Sequence, residues 1–506
     1  MEQTPLILPP DEYNRKLLEN VHPAQWKNPE PASMYNLVVI GAGTAGLVTA
    51  AGAAGLGAKV ALIEQHLMGG DCLNVGCVPS KGLIRASRAA FDIKQAGLFG
   101  IHAGPDVSID FGKAMERMRG IRSGISSHDS AERFRGLGID VFFGSAKFTG
   151  RDSIEVDGKR LRFKKAAVCT GARAATPKIP GIEEAGFLTN ESVFELTELP
   201  KRLAVIGGGP IGCELAQAFS RMGSRVTLLQ QSGQLLPRDD ADAAEVVRKA
   251  LVRDGVDVRL GVTVVKAEKS ADGKAVHFDD KGKTQVLAVD AILAAAGRAP
   301  NVEGLDLEKA GIAYEPSGVL VDDRLRTTNP RVYAAGDVCS AFQFTHAADA
   351  YARIVIANAL FKARQRASSL VIPWCTYTDP EVAHVGMNEN EARKKGLGVT
   401  AFTVPLADVD RALLENETEG YGRVLLKQGS DAILGATIVA RHAGEMINEI
   451  TLAMTAGLGL SSIGKTIHPY PTQAEAVRKL ADAYNRTRLT PRVKKLFTSW
   501  LAWQRS

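Results

Sequence analysis

No stretch of this 506-residue sequence reaches the roughly 18 uninterrupted apolar residues that a membrane-spanning helix needs. The opening segment, MEQTPLILPPDEYN, has neither a basic lead nor a sustained apolar core, so no secretory signal is expected and the setting reads as cytoplasmic. Cysteine is scarce, at 6 residues, which excludes a disulfide-built scaffold. Cys169, Cys213, Cys339 and Cys375 stand alone among apolar or glycine-rich neighbours and read as small buried hydrophobes. Acidic residues are missing from the whole of 486–506, where Arg486, Arg488, Arg492, Lys494, Lys495 and Arg505 match the formal net charge of +6. The rest of the chain is therefore balanced, and nucleic acid is not an expected partner.

The length is that of two to four domains, and glycine, at 50 residues, is plentiful. Residues 1–34 are polar and proline-rich with little periodicity and read as an extended lead-in. The apolar run Tyr35–Ile40 suits a buried parallel strand, and it feeds into Gly41-Ala-Gly43-Thr-Ala-Gly46 and an alanine-rich helix. A second strand, Lys59–Ile63, ends at Glu64. The pattern returns with strand Leu203–Ile206, turn Gly207-Gly-Gly209-Pro-Ile-Gly212, helix Cys213–Met222 and strand Arg225–Leu229. Two such units predict an α/β chain with two Rossmann-like dinucleotide sites, or one site and a relic. Beyond residue 370, strand-like segments Gly422–Lys427 and Ala432–Ala440 and the helical stretch Gly444–Gly457 predict an α+β domain.

In the first turn the glycines permit close approach of a pyrophosphate, the helix N-terminus faces the phosphates and Glu64 takes ribose hydroxyls. The position matching Glu64 in the second turn is Gln230, whose neutral amide does not repel a 2′-phosphate; NADPH is favoured there, with NADH the other choice. Between them lies Gly69-Gly70-Asp-Cys72-Leu-Asn-Val-Gly-Cys77-Val-Pro79-Ser-Lys81. Two cysteines at this spacing can close a disulfide if a helix starts after the turn. Pro79 fits an early helical position, and that helix lowers the pKa of a nearby thiol. No second Cys/His pair stands at zinc-ligand spacing; a chance pair of buried cysteines is the competing reading.

A nucleotide fold, a C-x4-C pair and a second nucleotide fold together resemble the class I pyridine nucleotide–disulfide oxidoreductases, FAD-dependent enzymes. The resemblance runs from about residue 35 to 480 and takes in Thr170-Gly171-Ala172, Ala296-Gly297-Arg298, Tyr333-Ala-Ala-Gly336-Asp337 and Thr376–Gly386. It implies FAD on the first fold, with Asp337 holding the ribityl chain, NAD(P)H on the second, and a homodimer. The implied layout is an extension at 1–34, the FAD-binding domain at 35–185 and 301–370, the NAD(P)-binding domain at 186–300, a dimerisation domain at 371–485 and a basic tail at 486–506. In the implied mechanism two electrons pass from NAD(P)H through the flavin to a Cys72–Cys77 disulfide. Cys77 is then the thiolate beside the flavin and Cys72 the interchange thiol, with Lys81 and Glu214 an ion pair nearby.

Within the family the chain is similar to the mercuric-reductase-like members and also to dihydrolipoamide dehydrogenase. Aligning Pro471-Thr472-Gln-Ala-Glu475 with the family's His-Pro-Thr-x-x-Glu places Tyr470 where disulfide reductases carry their acid–base histidine; His468 lies two residues earlier. Disulfide exchange gains from a group titrating near neutrality, whereas a metal ion held transiently by Cys72 and Cys77 needs no proton shuttle. A metal-ion reductase is the preferred reading, with a disulfide reductase or a quinone-type oxidoreductase as alternatives. Against the first, no cysteine precedes Tyr35 and none lies in Trp500–Ser506. A helical Val493–Trp503 gathers Leu496, Phe497, Trp500 and Leu501 on one side with Lys494 and Lys495 at its edge. That pattern suits peripheral contact with a membrane surface, or packing on the protein's own body or its dimer mate.

Overall fold

The computed structural model describes residues 5–102, 104 and 107–505, so the first four residues of the predicted extension and Ser506 of the tail lie outside it. The described chain forms two compact units. One comprises the described residues up to 207 with 218–229 and 262–370, and the other 208–217, 230–261 and 371–505.

In the first unit the near-continuous apolar run Tyr35–Ile40 becomes the centre of a parallel sheet. It is flanked by Val60–Glu64, buried at every position, and by Lys159–Val168. Asp140–Phe143 pairs with Val60–Glu64, and Val332–Ala334 pairs with Lys159–Val168, both in parallel. An antiparallel ribbon, Lys147–Gly150 with Ser153–Val156, extends the sheet. Val38, Ile40 and Ile63 share a core with Phe148, Ile154 and Val156 of the ribbon, and helix Thr44–Gly55 contacts the same strands; burial on both faces is why they read as near-continuous Val, Ile and Leu. The same unit holds a second parallel set, Arg202–Ile206 between Arg225–Gln230 and Ala291–Ala294, and a three-stranded antiparallel sheet spanning Thr263–Val289. Both predicted strand–turn–helix repeats are therefore present, and the chain is α/β here.

The lead-in is corrected: Glu12–Val21 is a helix, not an extended segment. Asp11 caps it by accepting the Asn14 N–H at 2.8 Å. Leu17 and Val21, one turn apart, are fully buried. The third buried position is Asn14, so the inward stripe has a polar member and its periodicity does not show in hydropathy.

The second unit is built on a five-stranded antiparallel sheet in the order Pro373–Thr376, Glu381–Gly386, Ile433–Ala440, Tyr421–Lys427, Val399–Pro405. Helices Ala443–Thr455 and Glu475–Arg488 share a core with it, the α+β arrangement expected. A last helix, Pro491–Trp503, is capped by Thr490 and contains no buried residue. Among the described residues the stripe of the tail is thus uncovered by its own chain, which leaves packing on the dimer mate and contact with a membrane surface of the expected readings.

Candidate functional site

The first glycine turn is built so that side chains are excluded from it. A Cβ on Gly46 would lie 1.8 Å from the Gly41 carbonyl oxygen, and one on Gly41 (φ +97) 2.4 Å from that of Cys169. Gly43 is the N-cap of helix Thr44–Gly55 and gives it no side-chain cap, so first-turn N–H groups are free to hold a phosphate. Gly70 (φ +56) closes the cradle, since a Cβ there would sit 2.6 Å from Gly43 Cα. The Glu64 carboxylate accepts the Ala42 N–H at 2.7 Å and the His66 N–H at 2.8 Å. Burial pushes its pKa up, against those hydrogen bonds. This is a cradle that a dinucleotide pyrophosphate fits, with Glu64 fixing the turn itself.

Asp337 and Arg298 also meet here. Arg298 forms a short ion pair with Asp71, donates to the Ala172 carbonyl at 2.8 Å and lies 3.5 Å from Asp337. Its buried Nε has no hydrogen-bond partner, and burial raises the Asp337 carboxyl against the pull of Arg298. Gly336 and Gly297 take positive φ values of 86° and 123°. Gly171 (φ +67) lies in open space. The Thr170 hydroxyl donates to the Asn301 carbonyl at 2.7 Å and Asn301 returns a bond to the Thr170 carbonyl, so that side chain stitches two segments together. Asp71, next to the first cysteine, was not picked out by sequence reasoning; its only signal was an acid inside a glycine–cysteine run.

Cys72 lies in the short helix Gly70–Asn74 and Cys77 opens helix Cys77–Gln95. Their thiols are hydrogen-bonded to one another, and that contact, followed by burial, pushes the Cys72 pKa up. Cys72 is half-buried and Cys77 exposed. The Thr345 hydroxyl, at the start of helix Thr345–Phe361, stands 3.5 Å from Cys77 Sγ. Two helix starts, that of Cys77–Gln95 and that of Thr345–Phe361, therefore meet at Cys77 Sγ. Thr345 carried no sequence signal, because the contact spans 268 residues. Lys81 follows Cys77 by one helical turn. Of the remaining cysteines, Cys169 and Cys213 are buried as expected, whereas Cys339 and Cys375 are only half-buried. Among the described residues no group of three or more His, Cys, Asp or Glu is arranged to hold a metal ion.

The second turn repeats the first with one atom changed. Gln230 Oε1 accepts the Gly208 N–H at 2.8 Å, as Glu64 accepts that of Ala42. Its Nε2 is committed to the Ser232 hydroxyl at 2.5 Å. A Cβ on Gly207 (φ +112) would meet the Ala295 carbonyl at 2.4 Å, while Gly209 faces open space. Gly212 is buried within helix Pro210–Met222. Glu214, on the same helix, is buried and accepts the Tyr377 N–H at 2.9 Å.

The C-terminal residues divide between separate carboxylates. Tyr470 is 70% exposed and donates to Asp410 Oδ2 at 2.8 Å, a bond that raises its pKa. His468 Nε2 lies 3.0 Å from Glu449 and Nδ1 3.1 Å from the Thr466 carbonyl. Glu475 is buried and pairs with Arg478 at 2.8 Å. Asp410 and Glu449 had no signal in the sequence; they stand 60 and 19 residues before the residues they hold.

Comparison with known proteins agrees with this geometry. Residues 35–352 match the pyridine nucleotide-disulphide oxidoreductase family and 372–481 match that family's dimerisation domain. A mercuric reductase of Bacillus cereus is 36% identical over 445 residues, 88% of this chain and 70% of the relative. A dihydrolipoyl dehydrogenase of Thermus scotoductus is 36% identical over 465 residues, 89% and 98% of the two chains. The solved Cu(II) complex of the HOCl-induced flavoprotein disulfide reductase RclA of Escherichia coli superposes with a TM-score of 0.79 at 32% identity, over 88% of this chain and 98% of that one. The chain belongs to the pyridine nucleotide-disulphide oxidoreductase family. It is an FAD flavoprotein that uses NAD(P)H, carries a redox-active disulfide and has a homodimerisation domain.

Proposed function

We propose that this enzyme reduces a thiophilic metal ion, Hg(II) or a close chemical relative, at the expense of NADPH. When bound, the flavin supplies the two-electron relay between nicotinamide and the cysteine pair. Cys72 and Cys77 hold the ion as thiolates, two electrons reduce it to the metal, and it leaves without a proton being delivered to sulfur. The balance is NADPH + Hg²⁺ → NADP⁺ + H⁺ + Hg⁰. Lys81 and Glu214 are assigned to the flavin's surroundings, and the neutral Gln230 to acceptance of a 2′-phosphate.

The observation that carries the reading is Tyr470. It occupies the acid–base position with a phenol that Asp410 keeps protonated, so it orients or hydrogen-bonds but does not shuttle protons near neutrality. The mercuric reductase relatives and the Cu(II) complex of RclA support a metal-ion substrate. A disulfide substrate has its own observation, the His468–Glu449 pair, which suits general acid catalysis. The test is anaerobic reduction with NADPH and parallel challenge with Hg(II), lipoamide, glutathione disulfide and a quinone. Rapid reoxidation by Hg(II) is expected; rapid reoxidation by a disulfide alone overturns the reading.

The enzyme is further proposed to rest on anionic membrane surface through helix Pro491–Trp503. At about 100° per residue, Trp503, Leu496, Trp500, Val493, Phe497 and Leu501 fill an arc of about 160°, with Arg492 and Lys494 at its edges, while Lys495, expected at the edge, falls on the opposite side. Leu496 and Trp503 are each 67% exposed, and no acid in 486–506 opposes an anionic bilayer. No helix among the described residues is long and apolar enough to cross a membrane. Co-sedimentation with phosphatidylserine vesicles is expected, together with its loss in Trp500→Glu and in high salt. A soluble wild type in that assay removes the proposal.

A further inference from the structure

The helix Glu12–Val21 precedes the part of the chain that matches the family, which starts at residue 35. Both of its ends are nevertheless tied to the segment around Cys72, one through Arg122 and the other directly. Near its start, Asn14 Oδ1 accepts from Arg122 Nη2 at 2.7 Å, and Arg122 Nη1 donates to the Asn74 carbonyl at 2.7 Å. Asn74 is the last residue of the short helix holding Cys72. Its amide in turn donates to the Met68 and Gly70 carbonyls at 3.0 and 2.9 Å. At the other end, the Val21 carbonyl accepts the Met68 N–H at 3.1 Å, and His22 makes a short contact with the His66 carbonyl.

The character of Arg122 separates positioning from plain scaffolding. The residue is 2% exposed and is held by an amide oxygen and a backbone carbonyl; Asp11 and Glu195 lie near enough to favour its charge, but among the described residues no carboxylate hydrogen-bonds to it. Burial, and then the neighbouring Arg119, lower its pKa to about 10. Arg122 Nε and Asn74 Oδ1 are buried without hydrogen-bond partners among the described residues. A buried cation so held contributes little to stability, and apolar packing serves a mere prop better. What a planar guanidinium does well is fix two acceptors at a set distance and angle. We infer that the N-terminal helix is a positioning element for the redox pair, acting through Asn14 and Arg122 on the Asn74 carbonyl to hold Cys72 opposite Cys77. The inference rests on the reading of that pair as the redox centre.

A pair held in register is biased towards its disulfide, because the second thiol attacks within one molecule. The relevant exchange is protein dithiol + glutathione disulfide ⇌ protein disulfide + 2 glutathione, balanced in sulfur, protons and electrons. The holoenzyme is equilibrated anaerobically with glutathione buffers and its thiols are counted after acid quench. Asn14→Leu, which removes the acceptor, is expected to shift the equilibrium at least about fivefold towards the dithiol. Asn14→Asp, which keeps an acceptor for Arg122, stays within about twofold of wild type. Asn20→Ala serves as control, since Asn20 bonds Ser126 from the same helix without touching residues 68–74; it lowers Tm and leaves the equilibrium alone. Should Asn14→Leu not yield folded holoenzyme, Arg122→Lys, whose ammonium lacks the planar fork that spans both acceptors, carries the same expectation. An unchanged equilibrium in a folded Asn14→Leu or Arg122→Lys variant, whatever its Tm, overturns the inference. A wild type that forms no disulfide at any buffer ratio overturns the underlying assignment of the pair instead.

Discussion

The cysteine segment 69–81 and the C-terminal segment 468–475 make opposite use of their residues. In the first, two helix starts, two constrained glycines and a hydrogen-bonded thiol pair fall within a dozen residues, and each feature limits the others. In the second, Tyr470, His468 and Glu475 each have a different partner: Asp410, Glu449 and Arg478. On the proposed function the dense segment carries the kind of chemistry, electron transfer through a dithiol. The dispersed one leaves room for the substrate to differ among relatives with the same fold, as the mercuric reductase and dihydrolipoyl dehydrogenase among them do.

The contrast breaks first at the cysteines. Cys72→Ser is expected to lower NADPH-dependent Hg(II) turnover by about a thousandfold or more while flavin stays bound, since the nucleophile is lost but the cradle is untouched. Retention within about tenfold means that electrons bypass the pair. Next in size is Tyr470→His, which should raise lipoamide or glutathione disulfide turnover by about 100-fold, the lower end of the usual contribution of a positioned acid–base group. Parallel steady-state rates with Hg(II) and the disulfides measure it, and no gain returns the acid–base role to His468.

Asp410→Asn sharpens the same point through pH. The carboxylate raises the tyrosine pKa, so in the wild type the phenol keeps its proton through mildly alkaline solution. Without Asp410 the alkaline fall of kcat/KM for Hg(II) moves to lower pH; an unmoved limb shows that Tyr470 does not titrate in the reaction. Smaller still is Gln230→Glu, which sets a carboxylate in the position Glu64 holds in the first turn. The Gly208 contact is kept and a 2′-phosphate is repelled, so the KM ratio of NADPH to NADH should rise about 5- to 50-fold with kcat little changed.

Both glycine turns were legible because their spacing is local and the strands on either side are buried runs; positive φ at Gly41 and Gly207 favours glycine, although the carbonyls that crowd them, those of Cys169 and Ala295, lie far along the chain. The role of Glu64 was only half visible. Its place at the strand end could be read, but its bonds to Ala42 and His66 required coordinates. The N-terminal helix escaped because its inward stripe includes Asn14, whose partner is an arginine more than a hundred residues away. Thr345, Asp410 and Glu449 escaped for the same reason: they are brought to the functional residues by the fold and not by spacing.

The central claim, that electrons from NADPH reach the acceptor through Cys72 and Cys77, is tested most directly by counting thiols. The oxidised holoenzyme, treated anaerobically with one equivalent of NADPH and quenched into a thiol reagent, should show two more reactive thiols than the untreated enzyme, and adding Hg(II) before the quench should remove them. A count that does not change on reduction, in enzyme that still turns over Hg(II), contradicts the account.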